Sequence, residues 1–366
     1  MPLPQTQSAV VIESPKAPFA VQSGLPIHKP APGHVLLKIH SVGLNPMDPM
    51  RRTMDIMIDS YPAILGSDIA GVIEEVGEGV VGWKKGDEVF GSDTGGGYAQ
   101  YHSLDAQALI RKPKNVSFDE VATLCIAGNT SLVGLYAPAP IGLAINPTFS
   151  PDKPQAGKSA FVLGAGTTCG QFGIQYLKLA GFSRIVVYAS GKHTEYLTSL
   201  GATVVIPRDE VQITDLPTHL EVTSAPFDVV FDAFFGAAPD AVSSLDISHD
   251  IVKPGGKITT VNPRAVLSDD RVKQNKGVEL VRAFGYYFIR EGKATGLAYG
   301  VQPAHADFGL LLKENLPKLL ESGELKATRV EVLPDGLEGI VKGLDRWFGP
   351  GGVSGVKLVG HPQEGL

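Results

Sequence analysis

The sequence predicts an α/β protein in two parts: a doubly wound parallel sheet and a smaller β-rich, barrel-like domain. Three observations carry the prediction. The apolar run 159–163 leads through a turn holding Gly164, Gly166 and Gly170 into the amphipathic stretch 171–179. Strand-like and helix-like stretches then alternate through 257–261, the pattern of parallel strands with helical crossovers. Upstream, between residues 8 and 102, short β-patterned runs follow one another with turn residues between them, the pattern of a small barrel-like domain.

The glycine turn has the makings of a dinucleotide site. Gly164 permits a sharp bend, and Gly166 lets the backbone approach a pyrophosphate. Gly170 or Gly173 would let the helix sit close to the strand. The helix N-terminus offers unpaired N–H groups to phosphates. Gly164, Gly166, Thr167, Thr168 and Cys169 are therefore candidate cofactor contacts. The spacing is Gly-x-Gly-x-x-x-Gly, which an ordinary strand-to-helix turn would share, so the surrounding pattern must decide. It favours the dinucleotide. A second strand is expected at 184–189, a helix at 195–200 ending on Gly201, and strands at 204–206, 227–232 and 257–261, the last after the turn Pro254-Gly-Gly256.

The second strand ends in Tyr188-Ala-Ser-Gly-Lys-His193, with no carboxylate before Glu195. An NAD site usually carries Asp or Glu there for the ribose 2′-hydroxyl. Ser190 can instead donate a hydrogen bond to a 2′-phosphate and Lys192 a charge-assisted one, with His193 beside them. The expected cofactor is NADPH. The alternative is that Lys192 is a solvated surface lysine.

A chain of 366 residues can build two domains with real cores. Its net charge of −6 gives no basic footprint for nucleic acid. The two cysteines, Cys125 and Cys169, sit in apolar surroundings, which suits a reducing compartment rather than a disulfide framework. Neither a signal-peptide pattern at the N-terminus nor an apolar run of membrane-spanning length is present. A cytosolic (cytoplasmic) protein without a membrane partner is expected. The 43 glycines and 27 prolines make the chain turn-rich, yet 43% hydrophobic content indicates a globular protein, not disorder.

In the first domain, strand-like runs occupy 8–13, 34–41, 69–76, 87–90 and 98–102. A helix opens at Phe118-Asp-Glu120 and runs through Ala122 and Leu124. Residues 134–154 are rich in proline and small residues and read as a loop. An amphipathic helix at 307–322 stops at Gly323. Residues 326–333 and 356–359 return to strand-like pattern, with a short helix near 336–343 between them.

Several segments, in order, resemble the medium-chain dehydrogenase/reductase superfamily over nearly the whole chain. They are Gly43-Leu-Asn-Pro-Met-Asp48, Gly66-Ser-Asp-Ile-Ala-Gly71, Gly77 with Gly86-Asp-Glu-Val-Phe-Gly91, Gly97-Tyr-Ala-Gln-Tyr101 and the glycine turn. The zinc-free quinone/enoyl reductase branch matches best. The resemblance implies a GroES-like β-barrel catalytic domain (1–136 and 306–366) with an inserted Rossmann domain binding NADPH (137–305). Asn45-Pro-Met-Asp48, the proline-rich loop after Leu135, Tyr188–His193 and Val261-Asn-Pro263 are similar to fungal trans-acting enoyl reductases that serve polyketide synthases.

By the same resemblance, zinc alcohol dehydrogenases carry Cys, His and Cys where this chain has Asn45, Ser67 and a position close to Ile126. Cys125 is one residue off. None of the three offers the thiolate or imidazole that zinc needs, and no metal is expected. Asn45 and Asp48 would open the active-site loop, Asn45 donating its amide to a substrate carbonyl or the cofactor ribose. A turn shaped by Asn45-Pro46 is the plainer alternative. Thr130 matches a position near the nicotinamide, or is a helix-cap hydroxyl. Asn262 and Gly285 match positions beside the substrate, although Asn262 could equally cap the turn at Pro263. Lys357 matches a lysine on the cofactor side, or is an exposed strand lysine. Tyr61 is a candidate proton donor to the α-carbon, with water as the default. Phe284, Gly285 and Tyr286 would wall a hydrophobic tunnel or form a dimerising sheet edge; monomer and homodimer both stay open.

The resemblance implies NADPH-dependent reduction of a C=C bond conjugated to a carbonyl. The substrate would be a small molecule or an enoyl thioester delivered by a carrier protein, with a polyketide synthase as possible partner. A quinone reductase, or a non-reducing cyclase or partner-binding protein on the same scaffold, are the alternatives.

Overall fold

The computed structural model describes residues 3–235, 242–283, 289–290, 293–294, 303–347, 349 and 352–365, with backbone alone at 289–290, 293–294 and 303–306. The chain divides into two compact units. The first comprises Met1–Ile126, Phe288–Arg290 and Ala327–Leu366; the second, Ala127–Tyr287 and Glu291–Lys326.

Among the described residues, the first unit is built on a seven-stranded sheet. Its order is Val330–Val332, Lys357–Gly360, His34–Gly43, Asp68–Val76, Glu88–Ser92 and Leu109–Arg111, with Tyr101–Asp105 also paired to His34–Gly43. The first pair is parallel and the others antiparallel. Alternation along His34–Gly43 sends Val35, Leu37 and Ile39 into one core with Ile69, Ile73, Val89, Leu104 and Leu358. The helix Gly336–Arg346 adds Leu337, Ile340 and Leu344 to it. Just after the strand Lys357–Gly360, His361 bridges the carboxylates of Asp119 and Glu364, 2.7 Å to each. Those two carboxylates, Asp119 first, raise its pKa to about 9.

Two expectations shift here. The helix Phe118–Val121 starts on a Ser117/Glu120 capping box but does not run on through Leu124. Thr123 turns its hydroxyl onto the Glu120 carbonyl (2.7 Å), the local competition that ends helices, and a new helix starts at Cys125. Tyr98 lies outside the ladder of Tyr101–Asp105, because its N–H donates to Leu65 O and its carbonyl accepts from Val10 N.

The second unit holds a six-stranded parallel sheet. Its order is Val204–Pro207, Arg184–Ala189, Ser159–Leu163, Phe227–Asp232, Val252–Thr260, Glu279–Arg282. In chain order that is 3-2-1-4-5-6, with the reversal between the first and fourth strands, where such sheets bind ligands. Ser159–Leu163 is buried throughout, as befits a central strand covered on both faces. The expected turn at Pro254-Gly-Gly256 is instead part of Val252–Thr260, and its irregularity appears as a register shift against Phe227 and Val229. The strand Glu279–Arg282 and the helix Ser244–Ile251 complete the unit without having been read from the sequence.

The sequence divides the domains at 136/137 and 305/306, whereas the units part at 126/127 and 326/327. The packing of two helices explains the difference. From Cys125–Tyr136, Ser131 Oγ donates to Cys169 O (2.8 Å) and Tyr136 OH to Tyr176 O (2.8 Å). From Pro303–Glu321, Phe308 stacks on Phe149. The proline-rich stretch then folds back on the first of these helices, Leu143 N donating to Gly134 O and Ile145 N to Leu135 O.

A Cβ at Gly173 would lie 2.3 Å from the ring of Phe231, which is fully buried. Gly173→Ala should therefore cost about 1–3 kcal/mol by overpacking and lower the thermal midpoint by several degrees. An unchanged midpoint in a circular-dichroism melt would refute the close helix–strand packing.

Candidate functional site

Each residue of the glycine turn has a distinct task. Gly164 takes φ +73° as the first strand ends, a region that favours glycine. A Cβ on Gly170 would stand 2.5 Å from Gly164 O, so Gly170 and Gly173 both serve close helix–strand packing. At Gly166 a Cβ would meet nothing nearer than His193 Cδ2 at 3.5 Å and Ala189 Cβ at 3.9 Å. Its bare backbone therefore suits approach by a bound group rather than by the protein. Thr167 is the N-cap of Thr168–Ala180. Its Oγ1 accepts from Gly170 N (3.0 Å) and donates to Ala233 O (3.2 Å). Thr168 and Cys169 form the first helical turn. Gln171, missed in the sequence, is buried behind the turn: its Nε2 donates to Gly166 O (3.0 Å) and its Oε1 accepts from Tyr196 OH (3.0 Å). Glycine turn, N-cap and helix N-terminus together fit a dinucleotide pyrophosphate.

At the end of the second strand the structure changes the sequence argument. No carboxylate lies within 190–194, but one arrives from beyond the third strand. Asp209 Oδ2 accepts from Ser190 Oγ (2.9 Å) and Gly191 N (2.8 Å). These two bonds, the Gly191 N–H first, hold its proton affinity below the ordinary carboxylate value, helped by the charges of Arg208 and Lys192. The Ser190 proton expected for a phosphate is thus given to Asp209. Lys192 is exposed, while His193 is buried beside Gly166.

The fourth and fifth strands bring a second unforeseen carboxylate. Asp232 is fully buried and accepts from Ser244 Oγ (2.8 Å), Thr260 Oγ1 (3.1 Å) and Phe234 N (3.2 Å). Thr260 Oγ1 in turn accepts from Asn262 N (3.2 Å). Asn262 Oδ1 accepts from Arg264 N (3.0 Å), so it caps the turn at Pro263. Thr130 is buried on Cys125–Tyr136, one residue before Ser131. Phe284, Gly285 and Tyr286 lie outside the described residues.

In the first unit, Asn45, Asp68 and Lys357 form one buried polar knot. Lys357 Nζ is 2.6 Å from both Asn45 Oδ1 and Asp68 Oδ2, and Asn45 Nδ2 donates to Asp68 Oδ2 (3.1 Å). Asp68 Oδ1 accepts from Ile126 N (2.7 Å). Lys357 and Asp68 come from strands on opposite sides of His34–Gly43. They meet over Gly43, where a Cβ would lie 2.8 Å from Lys357 Cε and 3.0 Å from Asp68 Cβ. Asp48, also buried, accepts from Tyr98 OH (2.7 Å) and Asn45 N (3.3 Å), and burial raises its pKa. Lys357 is therefore no exposed strand lysine: it is 2% exposed with its amine inside this knot. Tyr61 donates its phenol to Asp55 (2.6 Å), which raises its pKa and weakens it as an acid.

Burial pushes Cys125 well above the ordinary thiol pKa, and Asn45, Ser67 and Ile126 supply neither thiolate nor imidazole. Among the described residues no group of three or more His, Cys, Asp or Glu is placed to hold a metal ion.

Burial raises Asp232 from the ordinary 3.8 to about 6. A raised carboxyl pKa means the native state favours the proton, so stability is fullest below 3.8 and is lost as pH rises through 6. At pH 7 this amounts to about 3 kcal/mol. Asp232→Asn removes the charge but also one of the two accepting oxygens, so its melting point relative to the wild type should rise as pH goes from 4 to 7. A difference independent of pH would refute the ionised, buried carboxylate.

Residues 31–114 match the alcohol dehydrogenase GroES-like domain family. An NADPH-dependent alkenal/one oxidoreductase from Arabidopsis thaliana is 33% identical over 239 residues, 62% of this chain and 54% of the relative. That match spans about half the relative's length. A trans-enoyl reductase from Aspergillus terreus is 32% identical over 54% of this chain and 67% of its own. Another from Talaromyces wortmannii is 27% identical over 95% and 96% of the two chains. Among solved structures, an alcohol dehydrogenase superfamily protein from Novosphingobium aromaticivorans superposes with a TM-score of 0.75 at 25% identity, over 96% of this chain and 99% of that one. Sequence, sheet order and glycine turn agree with these matches: the chain belongs to the medium-chain dehydrogenase/reductase superfamily.

Proposed function

We propose that the protein is an NADPH-dependent enoyl reductase that acts without zinc on a C=C bond conjugated to a carbonyl, including carrier-bound polyketide thioesters. The observation that carries this reading is the fixed amide of Asn45. Its oxygen is held by Lys357 and one N–H by Asp68. An amide nitrogen carries two hydrogens, which leaves one to donate to a substrate carbonyl. The ammonium at 2.6 Å draws charge from Oδ1 and makes that N–H the stronger donor. Such a donor strengthens as the carbonyl oxygen becomes an enolate. Removing a hydroxyl proton from an alcohol is a different task, and Asn45, Ser67 and Ile126 are poor residues for placing a metal to assist it.

Bound in the second unit, the nicotinamide would supply the hydride for the β-carbon. A proton from water then completes the α-carbon, because Tyr61 is engaged by Asp55. Gly166, Thr167 and the helix N-terminus would hold the pyrophosphate, and Lys192 and Arg208 the 2′-phosphate. Thr130 and Asn262 are assigned to the nicotinamide side. The names of the relatives support the reading: one is an NADPH-dependent alkenal/one oxidoreductase, and two are trans-enoyl reductases.

Stopped-flow absorbance of NADPH against enones, enoyl thioesters and quinones tests this. NADPH should be consumed with an enone or thioester, and NADH more slowly. Consumption with quinones alone would make the protein a quinone reductase, and a flat trace with bound NADPH would sink the redox reading. Asn45→Ala should lower kcat about 10²–10³-fold with NADPH affinity unchanged; equal losses in both would mean Asn45 only shapes its loop.

A further inference from the structure

We propose that Asp209 sets the choice between NADPH and NADH, as a specificity residue supplied from just beyond the third strand rather than the second. The proposal rests on the reading of the glycine turn as a dinucleotide site and deepens it.

Position is the first argument. In a sheet of this order the residues just after the second strand face the ribose 2′ group. Here those residues are Ser190, Gly191 and Lys192. The third strand runs parallel to the second with Val205 opposite Val187 and Pro207 opposite Ala189. Arg208 N continues the pairing onto Ala189 O (2.8 Å). That register carries residue 209 level with Gly191, and the Asp209 carboxylate lies 2.8 Å from Gly191 N and 2.9 Å from Ser190 Oγ. A carboxylate thus stands at the 2′ position although none occurs there in the local sequence.

Chemistry is the second. Both protein hydrogen bonds go to Oδ2, and among the described residues none reaches Oδ1. Asp209 is exposed, so Oδ1 can accept from a ribose 2′-hydroxyl. The same charge repels a 2′-phosphate. With its proton donated to Asp209, Ser190 offers a phosphate only lone pairs. Lys192 and Arg208 pull the other way: both are exposed, and both act on the Asp209 charge. One anion between two cations therefore moderates the preference for NADPH that the cations alone would create.

The test measures dissociation constants of NADPH and NADH by fluorescence titration of the 366-residue chain, its Asp209→Asn variant and its Lys192→Ala variant. Asn keeps an acceptor for Ser190 and Gly191 and removes the charge. Asp209→Asn should tighten NADPH and weaken NADH, raising the NADPH preference on the order of 10-fold. The NADPH gain should shrink as salt is raised, since screening weakens a charge effect. Lys192→Ala should lower the preference. An unchanged ratio, or weaker NADPH binding that does not respond to salt, would overturn the proposal and make Asp209 a support for the turn; NADPH binding by the wild type would then leave the cofactor reading standing. A wild type that favours NADH, converted by Asp209→Asn toward NADPH, would uphold Asp209 and overturn the NADPH assignment. Binding of neither dinucleotide by the folded wild type would overturn both.

Discussion

An ammonium and a carboxylate, both shut away from water, constrain the residues around them in the first unit. Taking two charges out of water costs several kcal/mol each, and the pair is tolerated only with good geometry and further hydrogen bonds. Asp68 has these: Lys357 Nζ, Asn45 Nδ2 and Ile126 N all donate to it. Removing one charge would leave the other uncompensated, at about 3–5 kcal/mol. Much of the local sequence follows from this. Gly43 must lack a side chain so that the pair can meet across the middle strand. Asn45 must be an amide, because its oxygen faces a cation and its nitrogen an anion. An Asp there would set a third charge beside the pair, and a Leu would leave Lys357 short of a partner.

The second unit shows the opposite economy of design. Its site is made mainly of backbone, and side chains enter to orient that backbone. Gln171 holds the Gly166 carbonyl, Thr167 caps the helix, and Ser131 pins Cys169. Neutral hydrogen bonds fix the peptide groups of the turn, so it carries little charge until the end of the second strand.

That division explains what could be read from the sequence. The parallel sheet was legible because its signals are local: 160–163 and 185–189 are apolar runs, 229–231 is Val-Val-Phe, and Gly164, Gly166 and Gly170 sit within seven residues. Elements without periodicity were not. Ser244–Ile251 is short, and Val252–Thr260 hides its strand behind Pro254-Gly-Gly256. The candidate residues named from the sequence, Asn45 and the glycine turn among them, belong to continuous motifs. Asp68 stood in a recognised motif without a visible task, because its partner is 289 positions away. Asp209 left no local trace, since register between two strands, and not spacing along one, brings it to Ser190. Asp232 looked like the end of a strand; only the hydroxyls of Ser244 and Thr260, folded over it, make it a buried acid.

The distance between Asp68 and Lys357 also orders the events of translation. A ribosome makes Asp68 before, and Lys357 after, all six strands of the parallel sheet. The second unit can close while the first still waits for its cation. Until the strand Lys357–Gly360 emerges and His361 clips onto Asp119, the nascent first unit has a carboxylate to bury and no ammonium to bury it with. A product stopped before Lys357 thus presents an unfinished sheet to the proteases and chaperones that survey new chains.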